Sequence, residues 1–100
     1  MILVDTHAHI YLNQFEPDII GTIERSKASG VTKIFMPNID GSTLEEMLIL
    51  EARFPDVCKI MMGLHPCSVK ENFREELILV ENELSTGKYI AVGEIGTDLY

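Results

Sequence analysis

Met1-Ile2-Leu3-Val4-Asp5-Thr6-His7-Ala8-His9 opens the chain and decides how the rest of it reads. Ile2–Val4 is a short apolar strand segment that runs directly into an acid and two imidazoles. In extended chain, residues two apart share a side, so His7 and His9 present their rings in one direction at the C-terminal end of that strand. Neutral imidazole is the commonest protein ligand for zinc and suits related transition metals. Two histidines hydrogen-bonded within a loop would be the plainer reading, but the His-x-His spacing at a strand end favours a metal pair. Asp5 lies two residues before His7. It is either a further ligand or a hydrogen-bonding group that orients the site.

Three more apolar segments follow: Lys33–Met36, Lys59–Leu64 and Tyr89–Val92. All are nearly continuous rather than alternating, which is how strands buried on both faces of a parallel sheet read. Helical stretches separate them. The first is expected to open at Glu16-Pro17-Asp18, with proline in the first turn, to turn Ile19, Ile20 and Ile23 inward, and to stop at Gly30. The second starts at Ser42 with Glu45 as its capping-box partner, and Leu44, Met47, Leu48 and Ala52 form its stripe up to Pro55. The third begins at Ser68, with Glu71 as box partner, or at Asn72. It places Phe73, Leu77, Val80 and Leu84 at helical spacing before Gly87. Glu75, Glu76, Glu81 and Glu83 read as its solvated outer face. Met61, Met62, Phe35 and Phe54 read as core.

Strand–helix repeated three times and closed by a fourth strand makes an α/β chain, a parallel (βα)3β unit with right-handed crossovers. A doubly wound open sheet and a (β/α)8 barrel share this opening. The first turn carries His-Ala-His where a nucleotide-binding open sheet carries a glycine-rich loop, which favours the barrel. A complete barrel needs roughly 250 residues, and this sequence has 100. Residues 1–100 are therefore expected to be the N-terminal half of one TIM barrel domain, cut within the segment Gly96-Thr97-Asp98-Leu99-Tyr100.

Composition sets the outer limits. A hydrophobic share of 46% suits a globular core. No apolar run approaches the roughly 18 residues of a membrane span, so no membrane partner is expected. The start reaches Asp5 too soon for a secretory leader, and two distant cysteines, Cys58 and Cys67, make neither a disulfide framework nor a zinc pattern. A reducing, cytoplasmic setting is expected. The net charge of −8 weighs against a basic nucleic-acid surface, although bound cations can neutralise phosphate locally.

Two further strand ends carry chemistry. Val92-Gly93-Glu94-Ile95-Gly96 sets a carboxylate between glycines just after the fourth strand, where parallel α/β proteins place reacting groups. One glutamate can bridge two cations about 3.5–4 Å apart; the alternative is a solvated loop residue. Gly63-Leu64-His65-Pro66 ends the third strand. His65 is expected to touch substrate or hold the ligands, in preference to binding metal itself. Cys67 reads as a small loop residue and Cys58 as packing. Asn38 and Asp40, on the same rim, are accounted for by turn formation.

Together, Asp5-Thr6-His7-Ala8-His9, Gly63-Leu64-His65-Pro66 and Gly93-Glu94-Ile95-Gly96-Thr97-Asp98 resemble the TatD-type family of metal-dependent deoxyribonucleases, within the amidohydrolase-like barrels. The resemblance runs the length of the chain in order, but covers only about the first two-fifths of a family member. It implies a site for one or two divalent ions (magnesium, manganese or zinc) at the C-terminal mouth of a barrel. His7 and His9 would hold one ion and Glu94 would bridge to the second. His65 and Asp98 would position phosphate or ligands, and DNA or another phosphodiester would be the partner. The family's remaining ligands, two histidines and an aspartate that would serve as base, belong to later strands. Cys67 stands where many members have histidine, which bears on substrate contacts. Thr97 stands where leucine is usual, expected to alter packing only.

Metal-dependent hydrolysis of a C–N or ester bond is the competing expectation, since fold alone does not choose the bond. A third is that these 100 residues are catalytically incompetent by themselves. Their first and fourth strands would be unpaired edges that invite self-association.

Overall fold

The computed structural model describes residues 1–99. Tyr100, the last residue of the expected active-site loop, lies outside the described residues. Four strands, β1 (Leu3–Asp5), β2 (Val31–Pro37), β3 (Cys58–Met62) and β4 (Ala91–Val92), alternate with three helices, α1 (Ile19–Ala28), α2 (Leu44–Arg53) and α3 (Phe73–Leu84). A short 3-10 turn precedes each helix, at Asn13–Asp18, Gly41–Thr43 and Pro66–Ser68. The strands pair in parallel in the order β1-β2-β3-β4. A doubly wound sheet reverses its strand order at a switch point. Here the order never reverses, and the curled sheet with its helices is half of a TIM barrel.

The core lies between the sheet and its helices. Ile34 and Met36 of β2 and Cys58, Ile60 and Met62 of β3 face Ile19 and Ile23 of α1 and Met47 and Leu50 of α2, all buried. The alternation of the strands puts Phe35 and Met61 on the opposite, concave side, where both are only partly buried. Near-continuous apolar runs predicted burial on both faces, and this is corrected. β1 and β4 are the sheet's edges, and Leu3, Val4 and Val92 stay 41%, 44% and 52% exposed. Met62 is core as expected, whereas Met61 and Phe35 line the concave face, and Phe54 packs at the margin of the core.

The helix starts also differ from expectation. Pro17 sits inside the 3-10 turn, and α1 begins two residues later at Ile19. Ile20 is 60% exposed, because only Ile19 and Ile23 lie over the sheet. Ser42 does not cap α2. Asp40 forms the capping box with Thr43, accepting from the Ser42 N–H at 2.9 Å, and Leu44 starts the helix. The buried stripe of α2 runs through Met47 and Leu50, and Ala52 is exposed. For α3, Asn72 rather than Ser68 is the cap position.

α3 buries no residue completely, and Phe73 and Leu77 remain 37% and 50% exposed. Two of its glutamates are not solvated, contrary to expectation. Glu76 accepts from the Gly41 N–H at 2.9 Å, and Glu83 accepts from the Tyr89 hydroxyl at 2.6 Å. These polar contacts hold the helix where apolar area is scarce. Gly30 takes a φ of +94°, which lets the chain leave α1 and enter β2. Among the described residues, no helix is long and apolar enough to cross a membrane.

Candidate metal centre

Backbone bonds continue past the strand ends and bring them to one rim. Ala8 N–H donates to the Phe35 carbonyl (3.0 Å), Asn38 to Met61 (3.0 Å), His65 to Ile39 (2.8 Å) and Gly93 to Met62 (3.0 Å). The chain beyond β1 therefore stays extended, and His7 and His9 project to the same side with ring centroids 5.0 Å apart. Glu94 reaches them from beyond β4 because two glycines let the backbones close up. A Cβ on Gly63 would stand 2.7 Å from the Gly93 carbonyl carbon, and one on Gly93 would stand 2.6 Å from Met61 Cε.

Among the described residues, His7, His9 and Glu94 form the cluster able to hold a cation, with their ligand atoms all within 4.8 Å of one another. His7 Nε2 lies 3.1 Å from His9 Nε2 and 3.1 Å from Glu94 Oε2, and His9 Nε2 lies 3.7 Å from the same oxygen. Glu94 Oε2 is buried yet has no hydrogen-bond partner, so its nearness to the imidazoles is not satisfied by geometry. Ligands about 2.0–2.2 Å from a tetrahedral zinc stand roughly 3.3–3.6 Å apart, and octahedral magnesium ligands about 2.9–3.0 Å apart. The observed spacings, 3.1–3.7 Å, bracket the zinc range and begin just above the magnesium one. The three donors thus fit a divalent cation, which would satisfy the orphaned oxygen.

His65 plays a different part. Its Nδ1 accepts from the Cys67 N–H at 3.0 Å, so its ring proton is on Nε2. That nitrogen stands 3.1 Å from Glu94 Oε1. A donor there steadies the carboxylate by one oxygen and leaves the other turned to His7 and His9. Asp5 accepts from the His7 N–H at 3.0 Å through Oδ1, which shapes the loop that carries the first ligand. Asp98 accepts from the exposed Cys67 thiol at 3.0 Å, and this bond holds the thiol proton on, raising the pKa of Cys67. Thr97 is exposed and has little to pack. Asn38 and Asp40 serve the turn: Asn38 is fully buried, donates to the Asp40 carbonyl at 2.9 Å and accepts from Thr43 Oγ1 at 2.8 Å.

Tyr11 was not singled out in the sequence. It is buried, its hydroxyl donates to the Pro37 carbonyl at 2.6 Å, and His9 Nδ1 lies 2.9 Å from the same hydroxyl. The signal was its spacing, two residues beyond His9 as His9 is beyond His7. Burial raises the Tyr11 phenol well above its ordinary pKa, so it stays protonated at neutral pH. His9 is shifted down, first by burial and then by the neighbouring His7, with Glu94 pulling in the other direction. A neutral imidazole is the form that binds metal.

The fold is a parallel half-barrel whose C-terminal rim gathers His-x-His and a carboxylate, a donor set that could hold a metal ion. The sequence profile of the TatD related DNase family matches residues 4–100, and the chain belongs to that family. It is 29% identical over 99 residues to the uncharacterized metal-dependent hydrolase YabD of Bacillus subtilis, covering 99% of this chain and 38% of that protein. It is 32% identical over 102 residues to an uncharacterized metal-dependent hydrolase of Haemophilus influenzae, covering 98% of this chain and 39% of the relative. The crystal structure of YjjV, a TatD homolog from Escherichia coli K12, superposes with a TM-score of 0.79 at 30% identity, covering 98% of this chain and 38% of that one. The chain thus spans well under half the length of these relatives.

Proposed function

We propose that this chain supplies the first part of the cation site of a metal-dependent hydrolase that cleaves phosphodiester bonds in DNA. The observation that carries the reading is the buried, unpartnered Glu94 Oε2 facing two imidazole nitrogens. His7, His9 and Glu94 would hold the ion. A bound divalent cation would lower the pKa of water and stabilise charge on the attacking and leaving oxygens. His65 keeps Glu94 oriented through Oε1, and Asp5 fixes the backbone beneath His7. The His7 side chain is 50% exposed, so a substrate can approach from the mouth.

Hydrolysis of an amide or ester of a small molecule is the second reading. It is favoured by the net charge of −8, which repels extended DNA. In either case we assign the catalytic base and further ligands to strands beyond these four, so the chain alone is inactive and self-associates through β1 and β4.

Joining residues 1–99 to the matching C-terminal part of the Escherichia coli relative allows the test. A labelled oligonucleotide and a panel of amide and ester substrates are incubated with magnesium, manganese or zinc. Cation-dependent oligonucleotide cleavage, lost in Glu94→Gln, is expected of the chimera and not of the chain alone. Amide cleavage only would select the second reading. A folded, metal-loaded chimera that cleaves neither would refute both.

A further inference from the structure

The Tyr11 hydroxyl has one proton, and the Pro37 carbonyl, 2.6 Å away, has none to give. The hydroxyl must therefore donate to the carbonyl, and toward His9 it can only accept. His9 Nδ1, 2.9 Å from it, must carry the ring proton. We infer that Tyr11 is a positioning residue: it fixes His9 in the Nδ1–H tautomer and turns the Nε2 lone pair toward His7 and Glu94.

Every part of this linkage is anchored. Tyr11 is 5% exposed, and Pro37, the last residue of β2, is fully buried. The aromatic ring stands edge-on to the imidazole, centroids 5.7 Å apart, which limits rotation of both rings. His65 shows the opposite arrangement, since the Cys67 N–H occupies its Nδ1 and puts the proton on Nε2. The two histidines thus face Glu94 in complementary states. His65 offers a proton to Oε1, and His9 offers a lone pair on the Oε2 side. With its proton on Nδ1, His9 can only accept from His7 Nε2, 3.1 Å away, so the His9 lone pair and the anionic Glu94 Oε2 border one space that favours a cation. Tyr11 thereby contributes to the selectivity of the rim for a positive charge without touching it. A partner on the second nitrogen of a ligating histidine typically accounts for about 10–100-fold in metal affinity.

The test is long-range proton–nitrogen NMR on the imidazoles of the metal-free chain, with zinc titration as a second arm. The wild-type spectrum should show His9 as Nδ1–H and His65 as Nε2–H. Tyr11→Phe keeps the ring and its volume; it should convert His9 to a tautomer mixture and weaken zinc binding about 10–100-fold. A wild-type His9 protonated on Nε2 would overturn the inference, whether or not the variant folds. So would a folded Tyr11→Phe chain with unchanged tautomer and affinity. Only the zinc arm rests on the cation-site reading. A correct His9 tautomer in a chain that binds no zinc would count against that reading and leave the Tyr11 assignment standing.

Discussion

Glu94 Oε2 lies 3.1 Å from His7 Nε2, within ion-pair distance, yet it is buried without a hydrogen bond. A carboxylate oxygen in that state is destabilising in the metal-free chain, because its water has been removed and nothing replaces it. Its other oxygen is held near His65. The strain on the rim is thus confined to the atom that a cation would contact.

Replacing Glu94 by Gln removes the unpaired charge while keeping the shape. In metal-free buffer, Glu94→Gln is expected to melt at the wild-type temperature or above it. The cation-induced rise should vanish: an ion at 100 times its Kd stabilises wild type by about 2.7 kcal/mol and the variant by far less. Thermal melts with and without zinc check both halves.

Gly63→Ala tests the close approach that brings β4's loop to the site. The added methyl would meet backbone at 2.7–2.8 Å, the Gly93 carbonyl group and the Glu94 carbonyl oxygen, which cannot rotate away. Overpacking of this kind costs roughly 1–3 kcal/mol. Urea unfolding should show that loss, and zinc affinity should fall with it because Glu94 is displaced.

How much of this was legible in the sequence depended on what each residue packs against. The convergence of His7, His9 and Glu94 on one rim was readable because the apolar runs marked the strands whose ends carry them. Ile20 and Ala52 were placed inward and Leu50 was passed over because a stripe's phase follows the face that meets the sheet, and neighbouring apolar residues leave that phase open. Leu3 and Val92 read as buried, but edge strands of a half-barrel lack a neighbour on one side. Tyr11 escaped notice because its role depends on the Pro37 carbonyl, which is 26 residues away in sequence. Ser42 was read as the start of α2, but the capping bond belongs to Asp40 and serves the 3-10 turn before the helix, because its carboxylate reaches the Ser42 N–H.

Asp40→Ala should lower stability by about 1 kcal/mol, the usual effect of losing a helix cap. The Ser42 hydroxyl bond, opposed by partial burial, holds the Asp40 carboxyl below its ordinary pKa. A depressed acid stabilises the fold above its unfolded value and loses that contribution as pH falls through the folded value. The gap between wild type and Asp40→Ala should therefore be constant near neutrality and close below the usual carboxylate range. Denaturation midpoints measured from pH 7 down to about pH 3 would show it.

The two thiols should react very differently. Burial pushes Cys58 up to about 11, so it should resist labelling in the folded chain. Cys67 is exposed, but its bond to Asp98 raises its pKa and slows it. Asp98→Asn removes the anionic acceptor, and thiol labelling at pH 8 should become faster than in wild type. Equal rates would argue that the bond does not persist in solution.

The central claim is that His7, His9 and Glu94 converge to hold a cation, and calorimetric titration of the metal-free chain with zinc tests it most directly. Expected is saturable binding of one ion per chain, weakened at least tenfold in Glu94→Gln and abolished in the His7→Ala/His9→Ala double variant. No saturable binding by the folded wild-type chain, or binding that the double variant retains unchanged, would contradict it.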